Sequence, residues 1–259
     1  MKLEVMLSVI NLKKEELEKM NITSNCIVIN QCRKEEFEEY KNFKIYSYDE
    51  IGTSNSRNQG LKKITEDIIL LCDDDVVYNK NYEKSIIDEF NNNPKADAII
   101  FNMHSPNRKK RIITKVKRLH IYNSLNYASY NIAFKRENVL NKNICFNTNF
   151  GPKAKYLSGE DTLFITDMLK NKLKIYSNPL NIGIVSNKNS TWFKGYNERY
   201  FFDKGALFTA ISKHFRKLLI LQYLVRHREV FIDIGFFKAY KVMVKGSNDY
   251  LGERKGYIN

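Results

Sequence analysis

Over the first hundred residues short apolar runs alternate with amphipathic stretches, and few folds accept that rhythm. Strand-like runs occupy residues 3–10, 26–29, 43–46, 68–72 and 98–103, with helical periodicity over 13–20, 33–40, 56–64 and 81–91. Strands joined through helices lie parallel with right-handed crossovers, so the pattern predicts an α/β, Rossmann-like, mostly parallel sheet with flanking helices. Ligands of such sheets bind beyond the carboxyl ends of the strands. Polar residues just after each strand are therefore the candidates for function.

Past residue 103 the rhythm changes. A basic loop leads to a strand over 127–135, then to the loop Asn147-Thr148-Asn149-Phe150-Gly151-Pro152. A helix follows over 159–170, with two short strand-like runs near 174–176 and 182–185. From residue 203 the pattern is helical and amphipathic: one helix to about residue 228, then another from 231 to 245 with Gly246 as its stop.

The formal charge of +14 is concentrated. Arg108, Lys109, Lys110, Arg111, Lys115, Lys117 and Arg118 contribute +7 with no acid among them, and the chain from Lys213 onward contributes +6. Two such patches suit a polyanion: an anionic membrane surface, a lipid pyrophosphate or a nucleic acid. The bland alternative is two solvated helix faces. Among the four cysteines (Cys26, Cys32, Cys72, Cys145) no zinc-type spacing occurs. Glu4 interrupts any signal-peptide pattern, and no apolar run approaches the ~20 residues of a bilayer span. The expectation is a cytoplasmic, reduced protein.

Three constellations carry chemistry. In Ile68-Ile69-Leu70-Leu71-Cys72-Asp73-Asp74-Asp75 an apolar strand delivers three adjacent carboxylates to one edge, which is costly unless a cation neutralises them. The alternative is a turn whose aspartates cap a helix. Gly52-Thr53-Ser54-Asn55-Ser56-Arg57-Asn58 opens a helix with free backbone donors and a cation, suited to a phosphate or nucleotide. Ser158-Gly159-Glu160-Asp161 is either a capping box or a carboxylate poised to take a proton from an acceptor hydroxyl. The sole tryptophan, in Trp192-Phe193, is either core or a sugar-stacking face.

The strand ending Ser8-Val9-Ile10-Asn11, followed by Arg57-Asn58, Asp73-Asp74-Asp75 and Gly159-Glu160-Asp161 in that order, resembles the family 2 glycosyltransferases of GT-A fold. The bacterial set that builds capsular, exopolysaccharide and cell-wall glycans is the nearest flavour. Ser190-Thr191-Trp192-Phe193-Lys194-Gly195-Tyr196 and Phe201-Phe202-Asp203-Lys204-Gly205 are similar to that subset. The resemblance implies a GT-A domain over residues 1–210: a nucleotide-sugar half (1–103) and an acceptor half (104–210). Residues 211–259 would be a helical, amphipathic extension touching a membrane surface or a second subunit. It implies that Ser8, Val9, Asn11, Arg57, Asn58, Asp73 and Asp74 bind the nucleotide. Asp75 with Asp73 would hold Mn²⁺ or Mg²⁺, Asp161 with Glu160 would be catalytic, and Trp192 and Phe193 would face the acceptor.

The implied reaction is inverting transfer of a hexose-type sugar, from a UDP-sugar or another nucleoside-diphosphate sugar, to a glycan or polyprenyl-pyrophosphate-linked hydroxyl. That places the enzyme peripherally on the inner face of the cell membrane, with homo-oligomers through the C-terminal helices as an option and no nucleic acid. Two departures stand out. Asn30-Gln31-Cys32 replaces the aspartate that recognises uracil in many members, and Ser186-Asn187 replaces a metal-binding histidine. The rival readings are a nucleic-acid-binding protein, which the basic run supports without interleaved aromatics, and a nucleotidyltransferase, whose Gly-rich, Lys-bearing loop is missing.

Overall fold

The computed structural model describes residues 1–106, 112–125, 127, 130–186 and 195–256. Arg108, Lys109, Lys110, Arg111, Trp192 and Phe193 lie outside the described residues. The first half runs β1 (Leu3–Ile10), α1 (Lys14–Lys19), β2 (Asn25–Gln31), β3 (Glu36–Tyr40), β4 (Phe43–Tyr48), α2 (Thr53–Leu61) and β5 (Ile68–Asp73). There follow β6 (Val76–Tyr78), α3 (Tyr82–Asn92), β7 (Ala98–His104), β8 (Lys117–Arg118), β9 (Ile132–Lys135) and α4 (Arg136–Leu140). The chain closes with α5 (Glu160–Lys170), β10 (Ile175–Val185), α6 (Glu198–Ile211), α7 (Arg216–Arg226) and α8 (Phe236–Gly256).

One sheet has the order β3-β4-β2-β1-β5-β9-β7-β10-β6, with β8 beside β10. β4, β2, β1 and β5 are parallel neighbours, so their carboxyl ends share one edge. β9 inserts antiparallel between β5 and β7, and the sheet as a whole is mixed. Val5, Leu7, Val28, Leu70 and Phe101 bury one face against Leu17 of α1 and Ile86 and Phe90 of α3. The alternate residues Met6, Ile29, Ile69, Ile100 and Phe134 bury the other against α2, α4 and α5. Strands buried on both faces read as near-continuous apolar runs.

Residues 33–40 depart from expectation. The helical periodicity is there, yet Glu36–Tyr40 pairs antiparallel with β4. Eight residues cannot sustain a helix without a face to bury. As a strand, Phe37 sets its ring 4.8 Å from Tyr46, and Glu38 pairs with Lys14. The glutamates along this edge discourage pairing with a further chain. The two runs near 174–176 and 182–185 are one strand, β10, whose register slips between Ser177 and Ile184, around Pro179. Proline lacks the N–H that a regular ladder needs.

Two expectations about the C-terminal helices also fail. The single helix to residue 228 breaks: Ser212 is extended (φ −154°), and its hydroxyl accepts from Phe215 N at 3.3 Å. The reversal lets Ile220 and Leu224 join a third apolar cluster with Phe208, Met243 and Tyr250, which also takes in Phe150, Tyr156 and Leu163. α6 therefore spans residue 210 and is continuous in its packing with the sheet domain. Gly246 is no helix stop, since α8 continues to Gly256. A Cβ on Gly246 would meet the Phe202 carbonyl oxygen at 1.9 Å, and one on Gly205 the Met243 carbonyl oxygen at 1.8 Å. The two glycines let α6 and α8 cross backbone to backbone.

That crossing has a measurable consequence. Gly205→Ala and Gly246→Ala should each destabilise the chain by about 3 kcal/mol in denaturant unfolding. Gly252→Ala in the same helix has nothing within 4 Å of the added methyl. It should be neutral or stabilise by up to roughly 1 kcal/mol.

Candidate active site

The register across β1 places Ser8 level with Asp73 on β5 and with Ile29, one residue before Asn30, on β2. β5 ends at Asp73, and Asp74-Asp75 form the turn into β6. That turn is fixed from across the sheet, where Ser186 N donates to the Asp75 carbonyl at 3.1 Å. The Ser186 hydroxyl lies 3.5 Å from Asp75 Oδ2. The next helix, α3, starts at Tyr82 with Asn81 in the cap position, six residues past Asp75, so the aspartates cap no helix and that alternative falls away.

Arg57 is the centre of the site. It projects from α2 and is only 4% exposed, yet it carries a full charge. Nη2 donates to Asp73 Oδ1 at 2.8 Å and Nη1 to Asp161 Oδ1 at 2.7 Å. The Phe146 ring lies 5.2 Å from the guanidinium. One cation thus joins the end of β5 to the start of α5, behind carboxylate side chains that keep 34% and 23% of their surface exposed. Arg57, expected to reach out to the nucleotide, has two of its guanidinium nitrogens engaged by carboxylates of the protein itself.

Two other residues expected at the nucleotide are engaged within the protein. Asn58 donates to the Phe146 carbonyl at 2.9 Å and accepts from Phe146 N at 2.8 Å, so both ends of its amide are used in bracing the loop behind Arg57. Val9 is buried in the sheet core, because alternation along β1 sends its side chain to the face opposite Ser8. Ser8 stays at the edge, its hydroxyl 2.7 Å from that of Ser56. Asn11 sits beyond the strand at φ 51°, its N–H bonded to the Gln31 carbonyl.

The sequence reading missed Gln31 as a positioning residue. Its Oε1 accepts from Gly52 N at 2.7 Å and its Nε2 donates to Ser8 at 3.4 Å, tying β1, β2 and the start of α2 together. Asn30 accepts from Leu12 N at 2.9 Å and donates to Ser47 at 3.0 Å. Two amides closing a buried apolar strand were the signal for both.

At α5 the cap residue is Gly159 (φ 120°), which has no side chain to give, so the expected Ser158–Asp161 capping box is not formed. Glu160 is buried: its Oε2 accepts from Gly159 N at 3.0 Å, and a Cβ on Gly151 would lie 3.3 Å from its carboxyl carbon. Burial, and then the neighbouring Asp161, hold the Glu160 carboxyl well above the ordinary carboxylate range. Burial pulls Arg57 down, but Asp161, Asp73 and Glu160 outweigh it and hold the guanidinium charged. Burial raises Asp73 although Arg57 opposes it. Burial followed by repulsion from Asp73 and Asp75 raises Asp74. Burial lowers half-buried Lys204 of α6, and its neighbour Glu160 opposes this without reversing it.

The donor set fits a hard divalent cation. Asp74 and Asp75 supply oxygens at one turn, and their mutual repulsion is what a cation would relieve. Asp73, expected beside Asp75 at the ion, gives its Oδ1 to Arg57. Among the described residues no group of three or more His, Cys, Asp or Glu side chains is arranged to hold an ion. One or two carboxylates completed by substrate phosphate oxygens is the pattern that Mg²⁺-type sites use.

The Glycosyl transferase family 2 model matches residues 24–152. With the fold described above, the chain is a family 2 glycosyltransferase of GT-A fold. It superposes on S. aureus TarS residues 1–349 in complex with UDP-GlcNAc at a TM-score of 0.68 and 15% identity, covering 97% of this chain and 81% of that one. Against a longer S. aureus TarS structure the TM-score is 0.66 at 15% identity, covering 97% of this chain and 49% of the other. The mannosyltransferase PcManGT from Pyrobaculum calidifontis, in complex with GDP-Man and Mn²⁺, matches at 0.53 and 10% identity, covering 98% and 75%. At these identities the likeness is one of fold. No curated protein matches the sequence.

Two outcomes follow from the clamp. Arg57→Met leaves Asp73 and Asp161 facing each other without their cation, and should cost about 3 kcal/mol in denaturant unfolding. The fold keeps a proton on Glu160 that the unfolded chain releases, so this group's contribution to stability falls as pH rises from the ordinary carboxylate value through the raised one. The melting temperature of the wild type should therefore drop relative to Glu160→Gln between about pH 5 and about pH 8, by several degrees at roughly 2–4 °C per kcal/mol.

Proposed function

We propose that this glycosyltransferase is inverting and metal-dependent. In this reading it moves a sugar from a UDP-sugar to a hydroxyl of a glycan or polyprenyl-pyrophosphate-linked acceptor in bacterial surface-polysaccharide synthesis. The observation that carries the proposal is the single buried cation holding a donor-side carboxylate, Asp73, and an acceptor-side carboxylate, Asp161, in one site. The UDP part draws support from the TarS structure that holds UDP-GlcNAc, and the metal part from the PcManGT structure that holds Mn²⁺.

In this reading residues 1–103 bind the donor and 104–210 the acceptor. Ser8, Asn11 and Asn30 border the nucleotide at the strand edge, and Asp75, with Asp74 beside it, holds Mn²⁺ or Mg²⁺. The bound cation would supply the charge that lets the nucleoside diphosphate leave. Asp161 takes the proton from the acceptor hydroxyl, and the acceptor oxygen attacks the anomeric carbon. The bond from that carbon to the diphosphate oxygen breaks, the diphosphate keeps the electron pair, and the configuration inverts. Arg57 fixes where the base sits relative to the donor, so the attacking oxygen starts in line. Glu160, buried behind Asp161, is a positioning residue.

Titrating UDP, GDP and CDP into the chain with and without Mn²⁺ tests the donor half. Tight, Mn²⁺-dependent binding of one diphosphate is expected, and Asp75→Asn should abolish the metal dependence. Asp161→Asn should hold the nucleotide as the wild type does while turnover falls by about 100-fold or more. Full turnover in that variant removes Asp161 from the base role. Salt-sensitive oligonucleotide binding that ignores Mn²⁺ would overturn the whole reading.

A further inference from the structure

α7 carries apolar residues on two faces. Ile220 and Leu224, four apart, are fully buried against α6 and α8. Leu218, Leu221 and Val225, spaced three and four apart, form a second stripe that is 60%, 44% and 52% exposed. The start of α8 extends this stripe. Leu218 and Leu221 line an open groove of about 380 Å³ with Phe236, Phe237 and Tyr240, and Phe237 is 80% exposed. Phe215 and Ile232, also largely exposed, lie just outside the ends of the same helices. An apolar surface of this extent on a water-facing helix calls for an occupant.

Charge says which one. Exposed Lys213, Lys217, Arg226, Arg228 and Lys241 belong to the same segment, and between Lys213 and Lys245 there are eight basic residues against two acidic. On the helical wheel of α7, Lys217 and Arg226 flank the exposed stripe on opposite sides. A second copy of this chain docked through the same surface would bring these cations against their own equivalents. An anionic bilayer accepts the apolar side chains at its acyl boundary and the cations at its headgroups. No described helix is long and apolar enough to cross a membrane, so the contact is in the plane of the surface.

We propose that the outer face of α7 and the start of α8 form a docking surface for an anionic lipid bilayer, with Leu218, Leu221 and Phe237 inserting and Lys213, Lys217, Arg226 and Arg228 meeting the headgroups. This goes beyond the catalytic reading and does not depend on it.

Flotation of the full chain with vesicles of phosphatidylcholine alone, or of phosphatidylcholine with phosphatidylglycerol, tests it without using activity. Binding only to the anionic vesicles is expected, weakening at least about tenfold between about 0.1 M and about 0.5 M salt. Leu218→Ser/Phe237→Ser touches no core residue and should melt as the wild type does, yet bind at least about tenfold more weakly. Lys217→Glu/Arg226→Glu should lose the preference for anionic lipid. The proposal fails if the wild type leaves both vesicle types unbound or binds them equally, or if the serine variant binds as the wild type does. A stable dimer that the serine variant dissolves, with no lipid binding, assigns the surface to a second copy instead.

Discussion

A buried guanidinium shared by two carboxylates holds this structure's functional half together. Arg57 has lost nearly all its water, and Asp73 and Asp161 each compensate its charge with an oxygen below 3 Å. Asp73 ends a strand of the parallel core, while Asp161 starts a helix more than eighty residues later. The ion pair therefore converts two remote chain ends into one site. Asn58 and Gln31 serve the same purpose from either side: one fixes the Phe146 backbone behind the clamp, the other the turn before α2. Buried charge of this kind adds little net stability but is costly to leave half-paired, which suits a device whose task is to fix geometry.

The C-terminal helices extend the same logic outward. α5 carries Asp161 and Glu160, and α6 packs on its start, with Leu207 against Gly159. α6 is held in turn by its glycine crossing with α8, where Gly205 and Gly246 admit the opposing carbonyls. The Asp161 side of the site is thus braced by a helical cluster whose outer face retains exposed apolar surface.

Much of this was legible from local sequence. The alternation of apolar runs and amphipathic stretches implied the α/β sheet, and three aspartates after Cys72 marked the end of β5. Glu160-Asp161 marked the start of α5. What escaped were features decided by distant neighbours. β3 carries a helical pattern but finds its partner in β4. Gly246 reads as a stop until Phe202 is seen against it. The partners of Arg57 and Asn58 within the protein, Asp73, Asp161 and Phe146, lie far away in sequence and leave no local signal. Val9 is assigned to the core by strand alternation alone, and a stricter reading of that period finds it.

The shared cation is tested most directly by a double-mutant cycle on stability between Asp73→Asn and Asp161→Asn. Either single variant leaves Arg57 one carboxylate, whereas the double variant strands it without any. The account predicts that the double variant loses more than the sum of the singles, by about 1 kcal/mol or more. Additivity to within roughly 0.5 kcal/mol would mean that the two carboxylates do not share one charge, and would contradict it.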